Sequence, residues 1–231
     1  FGSEEQKAKY LPDVASGRRL GAFALTEAGA GSDAGGVQTT AVRDGDHYVL
    51  NGTKQWITNG GDAEIYTVVA ITDRSRGPRG ASTFIVEKGT PGFTFGKKEI
   101  KMGIRSSSTR ELVFTDCRIP KENLLGKEGQ GFIVAMKTLD KSRPGIGAQA
   151  LGIAQGAFDE AAIYSRQRVQ FGHPISSFQA VQHMLANMAI KIEASRSLIY
   201  SVARYIDSGA KDFSKESAMA KVFPSDMAME V

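Results

Sequence analysis

The chain has one cysteine, one tryptophan and three histidines among 231 residues. Cys117 has no second cysteine to pair with, and no Cys/His cluster has the spacing of a metal site. These shortages point to a reducing compartment and away from a resident metal. No apolar run approaches the ~20 residues that a membrane-spanning helix needs. Charge of one sign is also lacking: 29 Lys and Arg against 25 Asp and Glu leave a net +4, evenly mixed and without a basic block. That balance argues against nucleic acid as a partner, while suiting a small polyanionic ligand. With 41% hydrophobic residues, the length suffices for one or two cores.

Ser3, Glu5 and Gln6 have the form of a capped helix start, and 229–231 stop inside a helical pattern. The expectation is a fragment, with any targeting segment lying upstream of Phe1. A short helix over 7–10 should be ended by Pro12 and the Ser16-Gly17 pair. From Leu20 the pattern changes to period two with hairpin turns. Asp44-Gly45 separates 38–43 from 47–50, and Asn51-Gly52 separates 47–50 from 54–58. Further strands are expected at 65–72, 82–87, 93–95 and 111–114, with 73–80 as a solvated loop.

After Ile119-Pro120 the pattern is helical. Ile146, Ala150, Ile153, Ala157, Ala161 and Tyr164 fall three or four apart on one face, and Pro144 should kink or restart the helix that begins near Gly131. Phe178, Val181, Leu185, Met188, Ile192, Ser195, Ile199, Val202 and Ile206 alternate spacings of three and four as a bundle seam, and another helix starts near Ser214. The fold class expected is α+β: residues 1–19 ending a helical domain, 20–122 an all-β sandwich or barrel, and 123–231 the first part of an antiparallel helical bundle.

The most informative stretch is Ala24-Leu25-Thr26-Glu27-Ala28-Gly29-Ala30-Gly31-Ser32-Asp33, followed by Gln55-Trp56-Ile57-Thr58-Asn59-Gly60. Glycines that permit positive φ and close approach, three hydroxyls and one aromatic wall suit a flat ring with apolar faces and polar edges. On these two blocks, and on Met102-Gly103-Ile104-Arg105, Leu139-Asp140-Lys141-Ser142-Arg143 and Arg168-Val169-Gln170-Phe171-Gly172, the chain resembles the acyl-CoA dehydrogenase family, nearest the bacterial short-chain type.

The resemblance implies FAD-dependent α,β-dehydrogenation of an acyl-CoA thioester, with electrons passed to electron-transfer flavoprotein. It implies that Phe23, Leu25 and Thr26 hold the pyrimidine edge of FAD, that Trp56 and Ile57 pack at the ring, and that Thr58 faces its reacting nitrogen. Gly31 and Ser32 would serve the flavin phosphates, and Ser32, Asp140 and Arg143 the acyl-CoA. Arg168, Phe171 and Gln179 would reach a neighbouring subunit's FAD, which implies a homo-oligomer, a tetramer built as a dimer of dimers. Glu27 is expected to shape the loop. The family's catalytic Glu would lie beyond Val231, because the alternative position carries Ser142, which is no base. A bacterial cytoplasmic setting, or the mitochondrial matrix in a eukaryote, goes with that family. The alternatives are an acyl-CoA oxidase and a non-catalytic flavin- or acyl-CoA-binding homologue.

Overall fold

The structure, a computed structural model, describes residues 1–231 in two units, Phe1–Met136 and Lys137–Val231. In the first unit, α1 (Glu4–Ala15) starts on a reciprocal cap: Gln6 N donates to Ser3 Oγ at 3.2 Å and Ser3 N to Gln6 Oε1 at 3.0 Å. The helix runs through Pro12, because proline removes only its own amide and Ser16 N still donates to Pro12 O at 3.1 Å.

Seven strands follow: β1 (Gly21–Ala24), β2 (Thr40–Asp44), β3 (His47–Thr58), β4 (Ile65–Ile71), β5 (Ala81–Glu87), β6 (Phe93–Lys98) and β7 (Thr109–Pro120). They form one mixed sheet in the order β1-β4-β2-β3-β7-β6, with β5 also paired to β4. β1 runs parallel to β4, and the β3–β7 pairing is antiparallel. Ala24, Leu50, Tyr66, Val68, Phe84 and Leu112, all buried, fill the core against one face. The Asp44-Gly45 turn is present, closing β2 onto β3 with Asp44 opposite His47.

Asn51-Gly52 is not a turn. β3 passes straight through it, since β7 is equally long and pairs with both halves, and the irregularity is absorbed as a shift of register between Leu50 and Gly52. Gly52 is required there: its φ is +143°, and a Cβ would lie 2.6 Å from Thr39 Oγ1 and 2.7 Å from Thr39 Cα.

The chain then enters α2 (Gly131–Gln167), which continues through Pro144 as one helix instead of restarting. In the second unit, a two-stranded hairpin, β8 (Val169–Gln170) with β9 (His173–Pro174), leads to α3 (Gln179–Asp207) and α4 (Ser214–Glu230). The α3 seam is as the spacing indicates: Ile192, Ser195, Ile199 and Val202 are buried, and the flanking seam residues are half-buried.

On α2 the expected face holds only in part: Ala150 is buried and Ala161 half-buried, but the rest of the buried stripe is displaced by one position. Gly147, Leu151, Ala154 and Ser165 are buried and Phe158 is half-buried, whereas Ile146, Ile153 and Tyr164 are exposed. The reason is close helix approach: a Cβ on Gly147 would lie 1.9 Å from Ala220 O of α4. Gly147 therefore stands at the closest crossing with α4, and Leu151 and Ala154 pack beyond it against Ile192, Ile199 and Met227.

Candidate functional site

A bulge in β3 decides which side chains face outward. Lys54 pairs with Leu112 and Ile57 with Arg110, so three steps on β3 oppose two on β7. Without the extra residue, positions 54, 56 and 58 would share a face. With it, Lys54 and Ile57 both point into the core, at 0% and 3% exposure, while Trp56 is 57% exposed and Thr58 is exposed beside it in sequence parity. Trp56 adopts φ +54°, a left-handed conformation that costs a bulky residue about 1–3 kcal/mol and is concentrated at functional sites.

The segment 21–26 is laid alongside this bulge. Gln55 N donates to Thr26 O at 2.8 Å, and Asn59 Nδ2 donates to Gly21 O at 3.1 Å, bracketing the stretch at both ends. Phe23, Leu25 and Thr26 are thereby brought together with Trp56, Ile57 and Thr58. The turn after Thr58 is itself pinned: Asn59 N donates to Ser108 O at 2.8 Å, Ser108 Oγ to Gly60 O at 3.0 Å, and Gly61 N to the Tyr66 hydroxyl at 3.0 Å. Burial pushes that phenol up to about 12, so it remains protonated.

Under the segment lies a buried ion pair. Lys54 Nζ donates to Leu25 O at 3.0 Å and to Glu27 Oε1 at 2.8 Å. Glu27 also accepts from Gln38 N at 2.6 Å and Thr39 N at 3.0 Å, which ties the end of the glycine loop back to its start. Burial alone would raise the Glu27 carboxyl, but Lys54 and the Thr39 bonds outweigh it and hold the group below its ordinary value. Burial lowers the Lys54 ammonium, with Glu27 opposing that shift.

The glycine loop differs from the positive-φ geometry expected of it. Gly29, Gly31, Gly35 and Gly36 all keep φ outside the left-handed region, because reciprocal bonds of 3.1 Å between Glu27 and Ala30 close the turn conventionally. Openness is what Gly29 and Gly31 provide: a Cβ on either would meet nothing within 4 Å. Ser32 is exposed next to them. The apolar recess of about 330 Å³ in this unit lies elsewhere, under α1 among Tyr10, Leu11, Val14, Ala22, Thr67 and Ile85.

In the second unit, Phe171 and Gly172 both adopt positive φ, +53° and +79°, at the tip of the β8–β9 hairpin. Phe171 is 90% exposed and meets the ring of Phe178 edge-on; Arg168 and Gln179 are exposed as well. Asp140 pairs with Arg143 one turn on, accepts from the Ser214 hydroxyl, and receives the Ser217 hydroxyl on its backbone carbonyl. The pair anchors the first turn of α4 to α2.

The family models for the acyl-CoA dehydrogenase middle domain and C-terminal domain match residues 22–117 and 129–231. The chain belongs to the acyl-CoA dehydrogenase family. A short-chain-specific acyl-CoA dehydrogenase of Megasphaera elsdenii is 54% identical over 232 residues, covering 100% of this chain and 60% of that protein. The structure of butyryl-CoA dehydrogenase from the same organism superposes with a TM-score of 0.97 at 54% identity, over 99% of this chain and 60% of that one. A chain in a structure concerned with the electron transferring flavoprotein of Acidaminococcus fermentans gives 0.97 at 59% identity, over 100% and 60%. This acyl-CoA dehydrogenase family chain thus spans about 60% of the length of the curated relatives it matches.

Sequence reasoning missed Lys54, which by residue type reads as surface. Its only signal was parity with Leu50, an inward position on the same strand. The β8–β9 hairpin was missed too, although Phe171-Gly172 has the composition of a two-residue turn at its glycine.

Proposed function

We propose that this chain supplies the flavin-holding β domain and the first bundle helices of an FAD-dependent acyl-CoA dehydrogenase. The observation that carries the reading is the outward display of Trp56 and Thr58 on a strained bulge, next to a Thr26 amide that has no partner within the protein. Those residues fit a flavin: an unpaired half-buried donor, a hydroxyl on each side and one indole face match a ring that is apolar above and polar at its rim.

When bound, FAD would accept the two electrons released as the thioester gains its α,β double bond. Thr26 would hold the pyrimidine edge with its amide and hydroxyl, flanked by Phe23 and Leu25. Trp56 would wall the ring, with Ile57 anchoring the strand from the core, and Thr58 would donate at the reacting edge. Gly31 leaves room for a phosphate that Ser32 can hydrogen-bond. Arg143, held by Asp140, would address the acyl-CoA. Arg168, Phe171 and Gln179 would meet the FAD of a neighbouring subunit in a homotetramer, a guanidinium on the pyrophosphate and a ring on the adenine.

No carboxylate of this chain is assigned the α proton. Glu27 is buried against Lys54, and Asp140 is bound to Arg143 and Ser214. The domain reading is 1–19 as the end of a helical domain, 20–122 as the flavin domain and 123–231 as the start of the bundle. Electron-transfer flavoprotein as acceptor and a cytoplasmic setting belong to the same proposal; no helix is long and apolar enough to cross a membrane.

The test is anaerobic bleaching of the flavin absorbance by a series of acyl-CoA esters of increasing length. Rapid bleaching by short chains supports the reading. A protein that retains FAD and is bleached by none of them is a non-catalytic homologue.

A further inference from the structure

The buried ammonium of Lys54 touches the candidate cofactor site through a single peptide unit. Its Nζ lies 3.0 Å from Leu25 O, and the peptide joining Leu25 to Thr26 is trans, as is every peptide bond in the chain. The Thr26 N–H therefore points from the opposite edge of that peptide unit, antiparallel to the carbonyl and away from the ammonium. It has no partner within the protein, although the Thr26 carbonyl is used by Gln55. A charge-assisted bond at a carbonyl polarises its amide and strengthens the N–H at the other end. Lys54 is 0% exposed, so its charge acts through protein and not through water.

The neutralising partner is a single carboxylate. Glu27 Oε1 is 2.8 Å from Nζ, and the same carboxylate gathers the Gln38 and Thr39 amides. Lys54 thus bonds its counter-ion and the peptide at once, and Glu27 attenuates what the peptide feels.

We propose that Lys54 is a positioning residue that tunes the cofactor: acting through Leu25 O, it strengthens the Thr26 amide donor and favours the reduced, more negatively charged form of the flavin ring, with Glu27 setting how far. This rests on the flavin reading given above. Both residues are buried beneath the segment, so their action on the ring would be indirect.

The experiment compares flavin reduction potentials of purified FAD-loaded protein in three forms: unmodified, Glu27→Gln, and the double variant Lys54→Met with Glu27→Gln. The double variant leaves no unpaired charge in the core. Measured in mildly acid solution so that Lys54 keeps its proton without its counter-ion, Glu27→Gln should raise the potential, because it unmasks the ammonium, and the double variant should lower it below the unmodified protein. An effect of about tenfold on reduced over oxidised binding is about 30 mV for a two-electron couple. A purely architectural role would move both variants together or leave both potentials unchanged, and either result overturns the proposal.

Should the double variant fail to fold, the sign of the Glu27→Gln shift still decides. In the unmodified protein, hydrogen exchange at Thr26 must also slow when FAD binds; unchanged exchange removes the donor and the proposal with it. If the unmodified protein binds no FAD, the flavin reading fails before the inference is reached.

Discussion

Glu27→Ala removes the hub on which the flavin-facing segment is built. The carboxylate accepts from Lys54 Nζ at 2.8 Å, Gln38 N at 2.6 Å and Thr39 N at 3.0 Å. Its loss leaves Lys54, fully buried, with Leu25 O as sole acceptor, and leaves two amides unpaired. Breaking a buried pair from one side costs about 3–5 kcal/mol, a large share of a domain stability of about 5–15 kcal/mol. Urea unfolding followed by the fluorescence of Trp56, the only tryptophan, reads the unit concerned. A loss under about 1 kcal/mol at pH 7 would refute the hub.

The same experiment has a pH signature. Because the folded carboxyl is held below its ordinary value, the unfolded chain takes up the proton first as pH falls. The stabilisation is fully present above the unfolded value of about 4.3 and disappears as pH drops through the folded one. The gap between unmodified protein and variant should stay constant from about pH 5 to 8 and narrow in more acid solution.

Other substitutions probe the remaining parts. Gly147→Ala places a Cβ 1.9 Å from Ala220 O and should cost the helical unit about 1–3 kcal/mol in thermal or chemical unfolding; a neutral result would mean α2 and α4 are loosely apposed. Thr58→Val should slow flavin reduction by substrate more than it weakens FAD retention, and the reverse order would make the hydroxyl mere scaffold. Arg168→Ala should lower FAD occupancy and weaken assembly together, as measured by flavin content and gel filtration. Unchanged occupancy would remove the cross-subunit assignment.

What could be read in advance depended on whether a signal was local. The α3 seam was fully legible, since Val181, Leu185, Met188, Ile192, Ser195, Ile199 and Val202 repeat every three or four residues and are buried or half-buried on that period. The α2 face was only partly legible, Ala150 burying as expected, because Gly147 carries no hydrophobic signal, yet its lack of a side chain is what admits α4. In the sheet, strand positions were legible from alternation, while Asn51-Gly52 imitated a hairpin turn that a long partner strand overrides. The residue types at the candidate site were visible as well. Their orientation was not, because the outward facing of Trp56 and Thr58 depends on one inserted residue whose register is set by β7, far downstream in the chain, where Lys54 meets Leu112 and Ile57 meets Arg110.

The most direct measurement exploits Trp56 as the one indole in the chain. Flavin-free protein is titrated with FAD while bound flavin absorbance and indole emission are followed together. The emission should be quenched in step with binding, saturating at one FAD per chain. Binding that leaves the emission untouched, or no binding at all, would show that the bulge in β3 does not hold the flavin.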